Sequence, residues 1–166
     1  VLAKEKETKT NVMRILDQKK VPYEARHYPH GAEAVDGLAV ARALGEDPAG
    51  VFKTLVTRGR KGGYYVFVIP VAEELDLKKA ARAVGEKSVA MLHVKELLPL
   101  TGYVRGGCSP VGMKKQFPTV FHASALERGA IAVSAGRIGD QVVVEPQALA
   151  QLVRGTFADV IAERAL

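Results

Sequence analysis

Apolar residues first recur at helical spacing and then change period along the chain. Val12, Ile15 and Leu16 fall on one face, with Lys19 continuing the row, which predicts a helix. Thr10 and Asn11 are capping types at its start, and Val21-Pro22 stops it. Tyr23 to Tyr28 reads as a short strand. Asp36 is placed to cap a second helix with Leu38, Ala41 and Leu44 on its apolar side and Gly45 as its terminator. Val51 to Thr57 is then rich in β-formers, and a Gly62-Gly63 turn separates it from Tyr64–Val71. That second run is almost unbroken apolar, as a central strand buried on both faces requires, and the two segments predict a hairpin. Asp76 caps a predicted helix over Leu77–Val84 that Gly85 closes, and Val94–Leu98 predicts another, ended by Pro99. Three strands follow at Thr119–His122, Ala130–Ser134 and Gln141–Glu145. Pro146 suits the first position of a closing helix.

Strands dominate the middle of this order and the helices do not alternate with them regularly. The predicted class is α+β, one domain whose mixed, mainly antiparallel sheet curls toward a barrel and is surrounded by helices. Residues 1–9 are charged and are expected to form a flexible tail, with the domain over 10–166. There is no internal repeat, low-complexity tract or long linker.

Composition adds little to the fold and something to the function. A chain of 166 residues, 48% hydrophobic and 25% charged, has the usage of a globular domain rather than a disordered one. The net charge of +6 and pI near 9.5 suit a polyanionic partner, and equally a mildly basic surface. The cations are scattered, so a nucleic acid would be held by a folded surface. The single cysteine, Cys108, rules out an internal disulfide and a cysteine-based zinc site. No histidine pair has ligand spacing with a carboxylate, so neither a metal nor a cofactor is expected. Without an apolar run of membrane-spanning length, and with Lys4-Glu5-Lys6-Glu7 where a signal segment would be apolar, the expected location is the cytoplasm, away from any membrane.

Five features are candidates for chemistry. Lys53 shares a strand face with Val51 and Leu55. One reading lays its stem on the sheet with the ammonium in water; the other aims a fixed cation into a cavity, toward an anion or a developing oxyanion. The loop Gly106–Gly112 reads either as a sharp connection or as a cradle of backbone N–H groups, without Walker spacing. Cys108 in that loop has no histidine at a telling spacing, so it reads mainly as a packed thiol; Ser109 and Ser134 lack a nucleophile-elbow setting. Ser134 to Asp140 reads as a hairpin turn from which Ser134 can face a pocket. Tyr28 and His30 pair an aromatic with a histidine, as base stacking would use, or place a half-buried tyrosine at a strand end.

Taken in order, these segments resemble the YbaK/EbsC family of aminoacyl-tRNA deacylases. Val51-Phe52-Lys53-Thr54-Leu55 is similar to that family's V-[YF]-K-T-L strand, and Gly106-Gly107-Cys108-Ser109-Pro110-Val111-Gly112 to its G-G-x-S-P-x-G loop. Leu75–Lys79, Thr101-Gly102-Tyr103, Lys114-Lys115, Pro118-Thr119 and Phe157-Ala158-Asp159 continue the likeness, which spans roughly residues 9–162. The resemblance implies a domain related to the editing domain of bacterial prolyl-tRNA synthetases. It implies an enzyme that hydrolyses mischarged aminoacyl-tRNA in trans, with Cys-tRNA(Pro) the first choice of substrate. Ala-tRNA(Pro) hydrolysis, or a non-catalytic RNA- or nucleotide-binding module on the same fold, are the alternatives. It carries the family's lysine to Lys53 and its carbonyl-holding loop to Gly106 and Gly107. Tyr28, His30, Thr54, Ser109, Pro110, Gly112, Ser134 and Asp140 become substrate-binding positions. The family's aspartate after the S-x-G turn falls one place beyond Asp140, at Gln141. The implied partners are the tRNA acceptor end and prolyl-tRNA synthetase. In the cysteine-specific members the substrate's own thiol attacks the ester, so no protein nucleophile is required.

Overall fold

Thr10 opens the first helix as its residue type predicts, its Oγ1 accepting from the Met13 N–H at 3.2 Å. In the computed structural model, which describes residues 9–28 and 37–164, this helix, α1, runs Asn11–Gln18 and buries Val12, Met13 and Leu16. The left-handed turn at Lys20 leads into β1, Tyr23–His27. Helix α2, Gly37–Ala43, ends at Gly45 with φ 68°. Asp36, the expected cap of α2, and His30 both lie outside the described residues, as do residues 1–8 of the expected tail. Lys9 is described and is ion-paired with Asp17.

The hairpin forms as expected from β2, Phe52–Gly59, and β3, Tyr64–Pro70, in a register that pairs Phe52 with Pro70 and Arg58 with Tyr64. Asp76 caps α3, Leu77–Val84, through the N–H groups of Lys78 and Lys79, and Gly85 closes it in the left-handed conformation. A strand missing from the expectation, β4, covers Val89–Met91; three residues carry too little pattern to register. Helix α4, Val94–Thr101, runs through Pro99 instead of stopping there. The turn after the proline is secured by Thr101 Oγ1 on Leu97 O at 2.7 Å and by the Gly102 N–H on Leu98 O at 2.9 Å. Then come β5 Thr119–His122, β6 Ile131–Ser134, β7 Asp140–Val144, α5 Pro146–Val153 and the second unexpected strand, β8 Thr156–Ala158.

The α+β class and the single domain hold, but the sheet does not curl. The strands divide between an antiparallel sheet ordered β1-β7-β6 and a mixed sheet ordered β4-β2-β3-β5-β8. The pairings β3–β5 and β5–β8 are parallel and the other four antiparallel. A barrel needs every edge strand paired. Here the only backbone pairing between the two sheets, among the described residues, is an isolated bridge from Val51 to Ala132, which cannot close a ladder.

The expectation for Tyr64–Val71 holds in detail. Val66 and Val68 point into the main core with Leu16, Phe121 and Val142. Phe67 and Ile69 point the other way, against Ala80, Ala81 and Val160. No helix among the described residues is long and apolar enough to cross a membrane.

At the end of β5, His122 accepts the Val160 N–H at its Nδ1, 3.3 Å away, and so ties the chain after β8 to the sheet. That bond needs a neutral ring, and burial lowers the ring's pKa below the ordinary 6.5. A depressed histidine pKa contributes stability that is complete above the unfolded value and is lost as pH falls toward the folded one. Unfolding midpoints in urea should therefore be level above pH ~6.5 and decline below it. In His122→Asn, which has no group titrating there, that part of the decline should vanish.

Candidate active site

The edge of β2 facing away from β3 is paired at both ends and open between. Val51 O accepts from Val71 N, and Gly59 N donates to Gly63 O, so the odd-numbered residues of β2 hydrogen-bond to β3. The even-numbered residues point their backbone groups to the other side. There Val56 O is taken by Leu92 N, 3.1 Å away, at the end of β4, and Val51 bridges to Ala132 on β6. Thr54 lies between these two ties, and among the described residues no strand covers it. Its Oγ1 is buried without a hydrogen-bond partner.

A cavity of about 890 Å³ opens along this gap, within the range of pockets that enclose a nucleoside-sized ligand. Phe52 to Val56 form its floor, Tyr28 and Val40 one side, Leu97 on α4 another, and Arg105, Gly106 and Cys108 the loop side. Lys53 projects into it half-buried, its Nζ donating to Val71 O at 3.3 Å. Lys53 and Arg105 make the charge of the wall positive, and no carboxylate lines it among the described residues.

The cavity thus brings together Tyr28, Lys53, Thr54, Gly106 and Ser134. Tyr28 is 5% exposed and anchored through its N–H on Gly139 O at 2.9 Å. Ser134 Oγ accepts from Gly136 N at 3.1 Å, which fixes the hydroxyl at the strand end.

The remaining expected positions among the described residues do not line it. Gly107 donates its N–H to Val104 O at 2.9 Å, and of the two glycines only Gly106 lines the cavity. A Cβ on Gly107 would meet Ile138 N at 3.1 Å and Arg137 Cα at 3.3 Å: glycine here lets the loop and the 134–140 turn touch backbone to backbone. Ser109 is fully buried and accepts from Val111 N at 3.2 Å, and Pro110 is buried beside it. Gly112 has φ 81°, and a Cβ would lie 2.8 Å from Tyr103 Oη. That hydroxyl donates to Val111 O at 2.5 Å and closes the loop on itself. Asp140 turns away from the cavity to Arg137 Nε at 2.6 Å and His27 Nδ1 at 3.1 Å. The wall position is Gln141. His30 lies outside the described residues.

Cys108 lines the cavity but is not poised to attack. Burial pushes its thiol up to about 12, where a thiolate nucleophile requires a depressed value. Residues missed from sequence are Arg105 and the apolar side from β4 and α4, while Gln141 stands where the resemblance puts the family's aspartate. Arg105 adjoins the glycine loop and was the findable one.

A scan of family models matches residues 32–152 to the aminoacyl-tRNA editing domain. The chain belongs to that family, which bears out the resemblance read from its motifs. Within it, the chain is 49% identical over 160 residues to a protein of Enterococcus faecalis that carries the provisional description Cys-tRNA(Pro)/Cys-tRNA(Cys) deacylase EbsC. The alignment covers 96% of this chain and 98% of that protein. Among solved structures, one described provisionally as a trans-editing enzyme for prolyl tRNA synthetase superposes with TM-score 0.78 at 26% identity, over 92% of this chain and 95% of the other. A hypothetical protein superposes with TM-score 0.81 at 24% identity, over 91% and 99%; it speaks for the fold alone.

Two substitutions test this description. Gly107→Ala must push the two loops apart, at a cost of about 1–3 kcal/mol, measurable by denaturation. The parallel expectation for Cys108→Ala is an enzyme that keeps its turnover within a fewfold; loss of a hundredfold or more would reinstate Cys108 as the nucleophile.

Proposed function

We propose that the chain clears cysteine esterified to tRNA(Pro) by hydrolysis in trans. It is an aminoacyl-tRNA deacylase, and the observation that carries the choice of chemistry is a cavity with a fixed lysine and, among the described residues, no activated nucleophile. Lys53, Thr54 and Gly106 surround the space while the one thiol, Cys108, stays protonated. A pocket so built depends on the substrate for its nucleophile, and cysteine brings one. The substrate thiol gives up its proton as its sulfur bonds to the ester carbon, and the carbonyl electrons move onto oxygen. Collapse of that oxyanion expels the ribose oxygen, which gains on leaving the proton that the thiol gave up. Water then opens the cyclic thioester to free cysteine.

In this reading Lys53 and the Gly106 N–H stabilise the oxyanion, which is where fixed donors contribute most. Tyr28, Thr54 and Ser134 position the adenosine and the aminoacyl group, and Arg105 offers a cation to the terminal phosphate. The similarity to the provisionally described EbsC supports the cysteine choice. The partner would be the mischarged tRNA acceptor end. Prolyl-tRNA synthetase would supply tRNA identity, because one methylene of amino acid size is worth only about 1–3 kcal/mol in a pocket. The cytoplasm, where these esters form, is the proposed place of work.

The test follows loss of labelled ester from Cys-tRNA(Pro), Ala-tRNA(Pro) and Pro-tRNA(Pro). Expected is rapid loss of cysteine, sparing of proline, and a fall of about a hundred- to a thousandfold or more in Lys53→Ala. Near-wild-type turnover in that variant removes Lys53 from the mechanism. Selective loss of alanine keeps the family and changes the substrate. Salt-sensitive tRNA binding with every ester intact would instead mark a binding module.

A further inference from the structure

Gln141 reaches the cavity wall from β7, 5% exposed and paired in register with Ser134 on one side and Arg26 on the other. Behind it stands Glu46, whose side chain is only 6% exposed. Arg26 Nη1 donates to Glu46 Oε2 at 2.5 Å. The Gln141 amide satisfies its neighbours in one orientation, with its nitrogen donating to Glu46 Oε2 at 3.1 Å and Oε1 at 3.2 Å. A buried carboxylate needs such partners, since an uncompensated one is strongly destabilising. It also accepts only, so it dictates which end of the amide it meets. Glu46, neutralised by Arg26, thereby holds the Gln141 carbonyl oxygen turned away from itself.

The consequence lies in the cavity. Among the described side chains of the wall, Lys53 and Arg105 can only donate, the hydroxyls of Tyr28, Thr54 and Ser134 can donate or accept, and the Gln141 carbonyl, with two lone pairs, can only accept. An aminoacyl ester carries one cation of its own, the α-ammonium, which has three donors and no acceptor. We propose that Gln141 Oε1 accepts a hydrogen bond from the α-ammonium of the esterified amino acid, with Glu46 and Arg26 as positioning residues that fix the amide. This deepens the deacylase reading and rests on it. It also gives the site a means of sparing esters whose nitrogen is already acylated, as in a growing peptide, because a neutral amide nitrogen offers one donor and no charge.

The experiment measures binding of two stable amide analogues of 3′-amino-3′-deoxyadenosine, one acylated with cysteine and one with 3-mercaptopropionate, which lacks only the amino group. The alanyl and propionyl pair repeats it without the thiol. At pH ~6.5 an α-amino group is charged, and wild type should prefer the amino-bearing member by roughly ten- to a hundredfold, as a hydrogen bond to a charged group allows. Gln141→Met, similar in length but without the acceptor, should bring that ratio close to one while binding of the desamino analogue stays within a fewfold. Glu46→Gln satisfies either amide pose and should give an intermediate ratio; it decides the matter if Gln141→Met does not fold. A purely structural role would weaken both analogues alike and leave the ratio unchanged. That result, or equal binding of the two by wild type, overturns the proposal and leaves the deacylase reading standing. Failure of wild type to bind either analogue removes the deacylase reading, and the proposal with it.

Discussion

The site depends on one interrupted strand edge. β2 is a hydrogen-bonded strand along its whole length toward β3, but toward the other side it is tied, among the described residues, only at its ends, by β4 and by the bridge to β6. Continuous pairing there would fill the cavity with a strand. No pairing would leave a long free edge, a hazard that folded proteins avoid. The compromise leaves Thr54 with its backbone edge uncovered by any described strand and its hydroxyl buried without a partner, and Lys53 beside it rooted in the hairpin. A site on a strand of this kind is held more accurately than one on a loop.

The loop and the turn that complete the cavity are fixed by packing rather than by the substrate. Tyr103 donates to Val111 O, and space for its ring is kept by glycine at 112 and 136, where a Cβ would approach it to 2.8 and 3.0 Å. Burial holds this phenol at about 12, so it remains a donor at any working pH. The same loop meets the 134–140 turn at Gly107, backbone against backbone. The glycines of the G-G-x-S-P-x-G segment therefore divide their work. Gly106 faces the ligand space, while Gly107 and Gly112 let other parts of the fold come close enough to place it.

That division explains what the sequence could and could not disclose. The hairpin, the α3 cap at Asp76 and the doubly buried β3 were legible because each is written in a local period or a capping residue. β4 and β8 were not: three residues each, they are strands only because Thr57–Gly59 and β5 stand ready to pair with them. The helix through Pro99 was misread because its last turn relies on Thr101 Oγ1, a side-chain bond with no local pattern. In the site, Lys53, Tyr28 and Ser134 were candidates from residue type and setting, and the resemblance added Thr54 and favoured the cavity-facing reading of Lys53, since alternation alone left it equally at home on a solvated face. Asp140 was misplaced by one residue in its effect. Strand alternation sends Asp140 to Arg137 and His27 and sends Gln141 to the cavity, and which face is which becomes visible only when β7 is set between β1 and β6.

The chemistry of the wall argues for what the ligand must supply. A protein nucleophile needs a base and a lowered pKa, and the thiol in this cavity has been driven the opposite way by burial. What the wall does supply is charge and hydrogen bonding held in place before the substrate arrives: a lysine on a strand, a hydroxyl without a partner, a glycine loop, and an amide held by the buried Glu46 carboxylate of a half-buried ion pair. Groups of that sort accelerate a reaction by being preorganised around developing charge, and they do so equally for any attacking group. On the proposed mechanism, discrimination falls to whatever the ester itself carries: an amino acid with its own nucleophile would be removed, and one without it would survive unless water is admitted. Selectivity of that origin needs no tight fit around the side chain, which is consistent with a cavity of about 890 Å³, far larger than cysteine and suited to the adenosine that bears it.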